Sequence, residues 1–324
     1  MVRILLVSIM LYFPVLSQQA PDGVYRVEQE REVSHDIDEE QYVTYTVVDR
    51  EGREQYTVRR EVVYDAAFPS AGVFESGKLI IIDSFTGIVE IYNTEGEEVK
   101  TVTLPGAGDV EHERNIDFSF HGDRVALVVS EPAYKYIRFF IADESGEILV
   151  QEQFDISHAT GIVYSPDGSL LAVGAYGWEG KSLRENMIFV TDEGEVLGTV
   201  DAGFRNGFFT DDGSSFIGYT NSQAHLIDAE EFELRWSYRI EEDRIILDAE
   251  LNGAGLVILS SDKPDLVDGT WMYENPVVRT IERNDGAIIS EQRFPEVTFT
   301  TGTFLREEDE IMLKFDDTVQ QFDR

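Results

Sequence analysis

Short runs of β-branched and aromatic residues, separated by clusters of Asp and Gly, recur along most of this 324-residue chain. Four consecutive runs, at residues 116–120, 124–130, 136–142 and 148–154, illustrate the pattern. Runs of this length and composition, bounded by turn-forming residues, are typical of β-strands. Beyond residue 17 the chain lacks the 3.6-residue apolar period of an amphipathic helix. The pattern therefore predicts an all-β protein.

The turns between these runs form two interlocked series. Members of the first lie 45, 46, 45 and 40 residues apart, at Gly77, Gly122, Gly168, Gly213 and Gly253, and residues 306–310 continue it without a glycine. Members of the second fall between them, at Gly52, Gly96, Gly146, Gly194 and Gly286, with residues 229–231 in place of a sixth glycine. A shared period of about 46 residues predicts one four-stranded unit repeated six times.

Repeats of this length with four strands each are typical of a β-propeller, in which sheets stack radially as blades. We predict six four-stranded blades, in a ring closed by the N-terminal hairpin at residues 42–60 and the C-terminal strands. Seven blades are the alternative, because residues 23–33 and 318–323 also have strand character.

The third repeat reads Tyr-Ser-Pro-Asp-Gly-Ser-Leu-Leu-Ala-Val at residues 164–173. This segment resembles the SPDG-type repeats of WD-repeat-like and TolB-like propellers. The likeness covers most of residues 66–324, although only this repeat matches well and the Gly-His and Trp-Asp marks of true WD repeats are missing. The resemblance implies the fold and carries no activity with it.

The first 17 residues have the pattern of a secretory signal peptide. Arg3 precedes an apolar stretch of about 13 residues that ends in Val-Leu-Ser, a length too short to span a bilayer as a helix. An uncleaved anchor is the alternative. We predict a signal peptide at 1–17, an acidic segment at 18–40 and a single propeller domain at 41–324. The mature chain would be secreted or periplasmic, without membrane insertion.

The composition narrows the classes of partner. The chain has 26 Lys and Arg against 63 Asp and Glu, a formal net charge of −37, and no Cys. So negative a surface disfavours nucleic acid, and the absence of Cys excludes disulfides and Cys-ligated metals. Only six of the basic residues are Lys. This depletion fits a surface adapted to high salt or, alternatively, an acidic secreted protein from an ordinary habitat.

The long connections between the second and third strands of a repeat are the first candidate site. They are predicted at residues 131–135, 175–186 and 261–276, and long loops on a rigid scaffold often carry binding groups. They hold an unusual share of the aromatic and Lys residues. The candidates are Tyr134, Trp178, Lys181 and Trp271 in the loops and Tyr136 at the adjoining strand edge. Such a surface would bind a protein, peptide, glycan or small anionic ligand, or its aromatic residues would simply pack the loops onto the blades.

Two Arg-Asn pairs are the second candidate. Arg114-Asn115 and Arg205-Asn206 lie eight and seven residues before the turn glycines Gly122 and Gly213, so both pairs are predicted at the start of an innermost strand. Guanidinium and amide groups there could hold a carboxylate or phosphate, or each Arg could pair with neighbouring carboxylates. Arg244 and His158 fall near the same register.

The catalytic and metal patterns are weak. No nucleophile elbow, phosphate-binding loop or zinc-binding helix is present, and no EF-hand pattern supports the weak alternative of a calcium or other divalent ion. We therefore predict an exported, non-catalytic binding or scaffold propeller without a cofactor. The alternative is a propeller hydrolase or lyase at the central channel, using Glu113, Asp155 and His158 with the Arg-Asn pairs, and His112 could join a metal site there.

Overall fold

The computed structural model describes residues 24–32, 41–62, 69–105, 114–130, 136–253, 255–267, 269–307, 310–316 and 318–322. Every regular secondary-structure element in these ranges is a β-strand, which confirms the all-β prediction. They form seven sheets whose strands lie side by side, and one small additional sheet. By their contacts the residues group into two compact units, each described separately below.

The smaller unit contains the first two sheets. Sheet 1 has three strands, β1 (Tyr25–Glu32), β2 (Gln41–Asp49) and β3 (Glu54–Val62). Sheet 2 has four, β4 (Ser70–Val73), β5 (Leu79–Asp83), β6 (Ile88–Tyr92) and β7 (Glu98–Thr103). Strand β1 pairs with β2 in antiparallel register from Tyr25↔Asp49 to Glu32↔Tyr42. The N-terminal hairpin is therefore part of a sheet of its own.

The larger unit contains the other five sheets and the small additional sheet. Sheet 3 comprises β8 (Asn115–His121), β9 (Arg124–Ser130), β10 (Ile137–Asp143) and β11 (Ile148–Phe154). Sheet 4 comprises β12 (His158–Tyr164), β13 (Leu170–Glu179), β14 (Ser182–Thr191) and β15 (Val196–Val200). Sheet 5 comprises β16 (Asn206–Phe209), β17 (Ser215–Tyr219), β18 (Gln223–Asp228) and β19 (Glu233–Arg239).

The remaining strands of the larger unit depart from the regular pattern. Sheet 6 comprises β20 (Arg244–Leu251), β21 (Gly255–Asp262), β24 (Val277–Glu282) and β25 (Ile288–Arg293). The inserted strands β22 (Asp265–Val267) and β23 (Thr270–Glu274) form the small sheet with β26 (Thr298–Phe299). Sheet 7 has three strands, β27 (Gly302–Glu307), β28 (Glu310–Phe315) and β29 (Thr318–Gln320).

Within the described residues the count of seven sheets, five with four strands and two with three, agrees with the seven-blade alternative. It is one more than the six blades that the turn series favoured, because β1 joins the N-terminal hairpin and the three strands form a sheet of their own. Strand β1 lies inside the range 18–40 that was expected to be an acidic segment. Closure of the ring and the boundaries at residues 17 and 40 stay predictions, and residues 1–17 lie outside the described residues.

Turn chemistry explains the regular spacing of the strands. In the turn from β12 to β13, the side chain of Asp167 accepts hydrogen bonds from the Ser165 hydroxyl at 2.7 Å and from the Ser169 amide at 3.1 Å. Gly168 has a φ of +73°, and a Cβ there would lie 2.1 Å from the His121 ring. Only glycine combines the left-handed backbone with this close approach. The glycine predicted from the sequence is therefore required at this turn.

The core is divided among the interfaces between consecutive sheets. In the smaller unit, one apolar cluster joins sheets 1 and 2 around the buried Tyr45. In the larger unit, separate clusters join sheets 3 and 4, 4 and 5, 5 and 6, and 6 and 7. Burial of apolar side chains between facing sheets is the main favourable term in folding. Within each unit, this stacking of consecutive sheets is what a propeller requires.

Asp248 links three sheets of the larger unit. It lies on β20 next to a register shift between Ile246 and Asp248. Its carboxylate accepts hydrogen bonds from the Tyr219 hydroxyl of sheet 5 at 3.1 Å and the Thr303 hydroxyl of sheet 7 at 2.6 Å. The amides of Phe304 and Ala249 also donate to it, both at 2.8 Å. One side chain therefore satisfies four donors.

Arg279 is a buried cation in sheet 6 that forms ion pairs with two Glu side chains. Arg279 on β24 is 2% exposed, and its guanidinium donates to both carboxylate oxygens of Glu241 at 2.6 and 2.9 Å. The Arg279 Nε donates to Glu291 on β25 at 2.7 Å. The two carboxylates lie nearer the surface, with exposed fractions of 52% and 29%. Because water barely reaches the Arg279 guanidinium, its charge is balanced by the carboxylates of Glu241 and Glu291.

The last strands of sheets 2 to 7 share a surface feature. In each of them the second residue is an exposed aliphatic side chain, and an acidic residue precedes it by no more than four positions. These residues are Val99, Leu149, Leu197, Leu234, Ile289 and Val319. Each last strand pairs with only one neighbour within its sheet.

Candidate functional site

The two Arg-Asn pairs occupy equivalent positions but differ in exposure. Asn115 and Asn206 are the first residues of β8 and β16, as the shared register predicted. Arg114 is buried, with 3% of its surface exposed, whereas Arg205 is exposed. The Asn115 amide donates to the backbone oxygen of Ala159 on β12 at 2.9 Å. The structure therefore brings only the Arg205 guanidinium of the two to the surface.

The first strands of sheets 3, 4 and 5 are tied to one another by side chains. Besides the Asn115 bond, the Thr160 hydroxyl on β12 donates to the backbone oxygen of Phe204, which leads into β16. Gly161 allows the close approach, because a Cβ there would lie 2.9 Å from the Arg205 oxygen. The Asn115 and Thr160 side chains at the start of the first strands thus join neighbouring sheets by hydrogen bonds.

Arg244 and His158, which lie near that register, also have local contacts. Arg244 begins β20 and donates to Asp262 at 2.6 Å and to the backbone oxygen of Asn275 at 2.8 Å. The His158 ring stacks on Tyr176, its partner across β12 and β13, with centroids 4.6 Å apart. Both side chains are therefore held by their own sheet.

Asp117 on β8 is the most strongly perturbed carboxyl at this end of the first strands. Burial raises its pKa to about 6, and the Asn115 amide, 3.3 Å away, lowers it only in part. The Asp117 carboxyl therefore ionises near pH 6, close to the neutral range in which a carboxyl can act as a general acid or base.

The raised pKa of Asp117 predicts a pH-dependent stability. Because the unfolded carboxyl ionises near pH 4 and the folded one near 6, stability is lost as the pH rises through this interval and stays low above it. Asp117→Asn removes this loss. The difference in free energy of unfolding between variant and wild type should increase by about 1 to 2 kcal/mol from pH 4.5 to 7.5. Urea denaturation at both pH values measures it, and a difference independent of pH would contradict the assignment.

The predicted loop at residues 175–186 is a β-ribbon, and this corrects the loop prediction. Strands β13 and β14 pair without interruption from Leu170↔Thr191 to Glu179↔Ser182, so the connection contains only Gly180 and Lys181. Gly180 has a φ of +65°, as the first residue of a type II′ turn requires. The ribbon tip carries Trp178, which is 66% exposed, and its cross-strand partner Leu183.

A cavity of about 740 Å³ opens beside this ribbon, at the end of the larger unit where second-to-third connections and sheet-to-sheet connections lie. We call it the ribbon cavity. Its lining consists of Asp155, Ile156, Ser157, Gly177, Trp178, Glu179, Arg184, Asn186 and Asp201. Arg184 donates to Glu179 at 3.0 Å and lies 3.5 Å from Asp201. With three carboxylates and one guanidinium, the lining is acidic, which opposes the binding of a small anion.

The other predicted aromatic and Lys candidates do not line this cavity. Lys181 is exposed in the ribbon turn. Tyr136 is half-buried just before β10, and Tyr134 lies outside the described residues together with the rest of 131–135. Trp271 is half-buried on β23, opposite Leu266. The loop predicted at 261–276 is thus corrected as well, because most of it forms the hairpin β22–β23.

A second cavity, of about 640 Å³, lies at the opposite end of the larger unit, among the short turns of sheets 5, 6 and 7. We call it the turn cavity. It is lined by Phe208, Phe209, Thr210, Asp211, Asp212, Glu250, Leu251, Asn252, Gly253, Arg283, Arg306, Ile311 and Phe322. The first turn series includes Gly253 and Arg306 and passes next to Asp211 and Asp212, but no motif marked these residues as a site. The rest of the lining is scattered over more than a hundred positions.

Metal-ligating clusters and membrane-spanning helices are both absent from the residues described above. In the part of the chain that the structure describes, no group of three or more His, Asp or Glu could hold a metal ion. His112 and Glu113 lie outside that part. No helix among the described residues has the length and apolar character needed to cross a membrane.

Comparison with known proteins supports the fold. No family model and no curated protein matches the chain. The propeller of Dos1 matches with a TM-score of 0.60 at 12% identity, over 86% of this chain and 74% of that one. BamB from Moraxella catarrhalis matches with a TM-score of 0.56 at 15% identity, over 94% and 84%.

A chain of the mitotic checkpoint complex is similar as well, with a TM-score of 0.57 at 11% identity over 94% of this chain and 85% of that one. The fold is therefore a β-propeller, which is the fold that the resemblance of the segment at 164–173 implied. At these identities the likeness concerns the fold alone, since one fold carries many functions.

Proposed function

We propose that this protein is an exported, non-catalytic propeller that binds a protein or peptide at the ribbon cavity. The exposure of Trp178 at the rim of the cavity carries the proposal. Exposed Trp side chains on rigid elements are over-represented among the residues that dominate binding energies. Because every residue from Leu170 to Glu179 is paired with β14, the indole is presented on a rigid ribbon.

The charge of the cavity indicates the partner's chemistry. Asp155, Glu179 and Asp201 outnumber Arg184, and the whole chain carries a formal net charge of −37. A segment with basic side chains beside an apolar or aromatic one would complement both the carboxylates and the indole. A small anion, which the sequence left as an alternative, is less well matched to this lining because the carboxylates would repel it.

Export rests on residues 1–17, whose apolar stretch and small-residue end support a secreted or periplasmic location. The propeller fold supports a binding role as a rigid scaffold that holds groups from several connections at one end.

Peptide selection with the Trp178 variant tests the proposal. Peptides enriched from a random display library on the purified protein should contain basic residues, and Trp178→Ala should weaken their binding by about 30-fold or more, as expected for a central aromatic contact. Isothermal titration calorimetry gives the dissociation constants. Trp271→Ala is the matched control and should bind normally. Equal affinity of wild type and Trp178→Ala would refute the site.

A second candidate function, a hydrolase or lyase at the centre of the propeller, is favoured by one observation. Asp117 has a pKa of about 6, which suits acid–base chemistry. The other groups expected for it are placed differently. Asp155 lines the ribbon cavity, His158 is stacked on Tyr176, and Arg114 is buried. The binding function is therefore the better supported of the two.

A further inference from the structure

The turn cavity combines apolar walls with basic groups. Phe208 on β16, Ile311 on β28 and Phe322 after β29 are half-buried and line it. Arg283, in the turn from β24 to β25, and Arg306 on β27 contribute guanidinium groups. Small-ligand sites usually combine apolar walls with a few convergent polar groups, and the lining of this cavity is polar and apolar in similar proportion.

One of the two guanidinium groups is already engaged. Arg306 donates to the Glu250 carboxylate and to the backbone oxygen of Leu251. Burial raises the pKa of Glu250, and Arg306 opposes this effect. Arg306 therefore neutralises a carboxylate that belongs to the cavity wall.

The other guanidinium is available. Within the described ranges, the Arg283 side chain is exposed and makes no hydrogen bond or ion pair, although its backbone oxygen accepts a bond from the Trp236 indole at 2.8 Å. Its nearby carboxylate, Asp212, is held by other groups. The Thr210 hydroxyl donates to Asp212 at 2.6 Å, and the hydroxyl and amide of Ser214 donate at 2.8 and 3.0 Å. These hydrogen bonds are the main causes of the lowered pKa of Asp212, and Arg283 lowers it only as the last of several causes, through charge attraction. An anion entering the cavity would thus meet a guanidinium whose donors are not engaged in hydrogen bonds.

The remaining lining limits the charge of that anion. Asp211 and Asp212 lie at the cavity with Glu250, in a chain with a formal net charge of −37. A dianion such as a phosphate monoester would be repelled more strongly than a monoanion. A carboxylate, which is planar and singly charged, also matches the two-pronged geometry of guanidinium.

We propose that the turn cavity binds a monocarboxylate with an apolar or aromatic body, its carboxylate on Arg283 and its body against Phe208, Ile311 and Phe322. This site is distinct from the ribbon cavity and does not depend on the function proposed there. The carboxylate could belong to a small molecule or to the C-terminal residue of a peptide, since both present the same chemistry.

Calorimetric titration of the full chain with 3-phenylpropionate and with its neutral amide tests the proposal. We expect the acid to bind at least about tenfold more tightly than the amide, as a charge-assisted contact provides. Arg283→Gln should remove this preference. Arg293→Gln is the matched control, because Arg293 is exposed on β25 outside the cavity and its substitution changes the charge equally.

Further outcomes separate the sources of the ligand and the failures. Tighter binding of N-acetyl-phenylalanine than of 3-phenylpropionate would assign the site to peptide C-termini, and the reverse order would assign it to small acids. No binding of any acid, equal binding of acid and amide, or an unchanged preference in Arg283→Gln would overturn the proposal. Trp178→Ala should leave the titration unchanged, so this site and the ribbon cavity can fail independently.

Discussion

The double substitution Glu241→Gln and Glu291→Gln is expected to lower the free energy of unfolding of the larger unit by about 3 to 5 kcal/mol. Both carboxylates accept hydrogen bonds from Arg279 and balance its charge, and the Arg279 side chain is 2% exposed. Without them a guanidinium stays buried with no countercharge, and this is more costly than the loss of the hydrogen bonds alone. Urea denaturation followed by fluorescence of the buried Trp236, which lies in the same unit, measures the change.

The reciprocal substitution is the control for this expectation. Arg279→Met replaces the cation by an apolar side chain of similar length, and the carboxylates it leaves behind can be hydrated because they are 52% and 29% exposed. The loss should be about 1 to 2 kcal/mol, clearly less than in the double variant. If Arg279→Met is the more damaging of the two, the cation is not the group that depends on the network.

Asp248→Ala should also destabilise the larger unit strongly, by about 3 kcal/mol or more. It leaves two hydroxyls and two amides without their acceptor, among them the Tyr219 and Thr303 hydroxyls from two other sheets. A buried donor left unsatisfied costs about 1 to 3 kcal/mol, although hydroxyls can rotate toward water. The same fluorescence-detected urea titration gives the value.

Two further variants separate the loss of hydrogen bonds from the loss of charge at Asp248. Asp248→Asn retains one acceptor oxygen and should lose about half as much stability. Asp265→Ala removes the same charge from an exposed position on β22 and should change stability by less than about 0.5 kcal/mol. Similar losses in Asp248→Ala and Asp265→Ala would show that net charge, and not the link between sheets, determines the effect.

The fold could be predicted from the sequence because the turns are local. Gly168 is required by its own φ of +73° and its contact with His121, so its spacing from other turn residues directly reports the repeat. The connection at 175–186 was harder to predict. Its polar and aromatic residues resemble a loop, yet they alternate across a ribbon whose two-residue turn needs only Gly180. Polar side chains on a ribbon that projects beyond the core give no apolar alternation to detect.

The sites were predicted only in part. Register placed Asn115 and Asn206 correctly at the start of first strands, because position within a repeat follows from spacing. Burial does not follow from spacing, and Arg114 and Arg205 differ in it completely. Trp178 was found as an exposed aromatic residue, whereas Arg283 was not found. The Arg283 donors are left without a hydrogen bond because Thr210 and Ser214 donate to Asp212, and those contacts exist only in the folded chain.

The aliphatic residues on the last strand of each sheet from sheet 2 to sheet 7 have a consequence for colloidal behaviour. An edge strand with exposed apolar side chains is a template on which another molecule can add a strand. Here Glu or Asp precedes each such residue, so two approaching edges bring like charges together. We expect these carboxylates to oppose self-association through the edge strands. Their protection is electrostatic, and it weakens in acid, where carboxylates are neutral, and in concentrated salt, where their repulsion is screened.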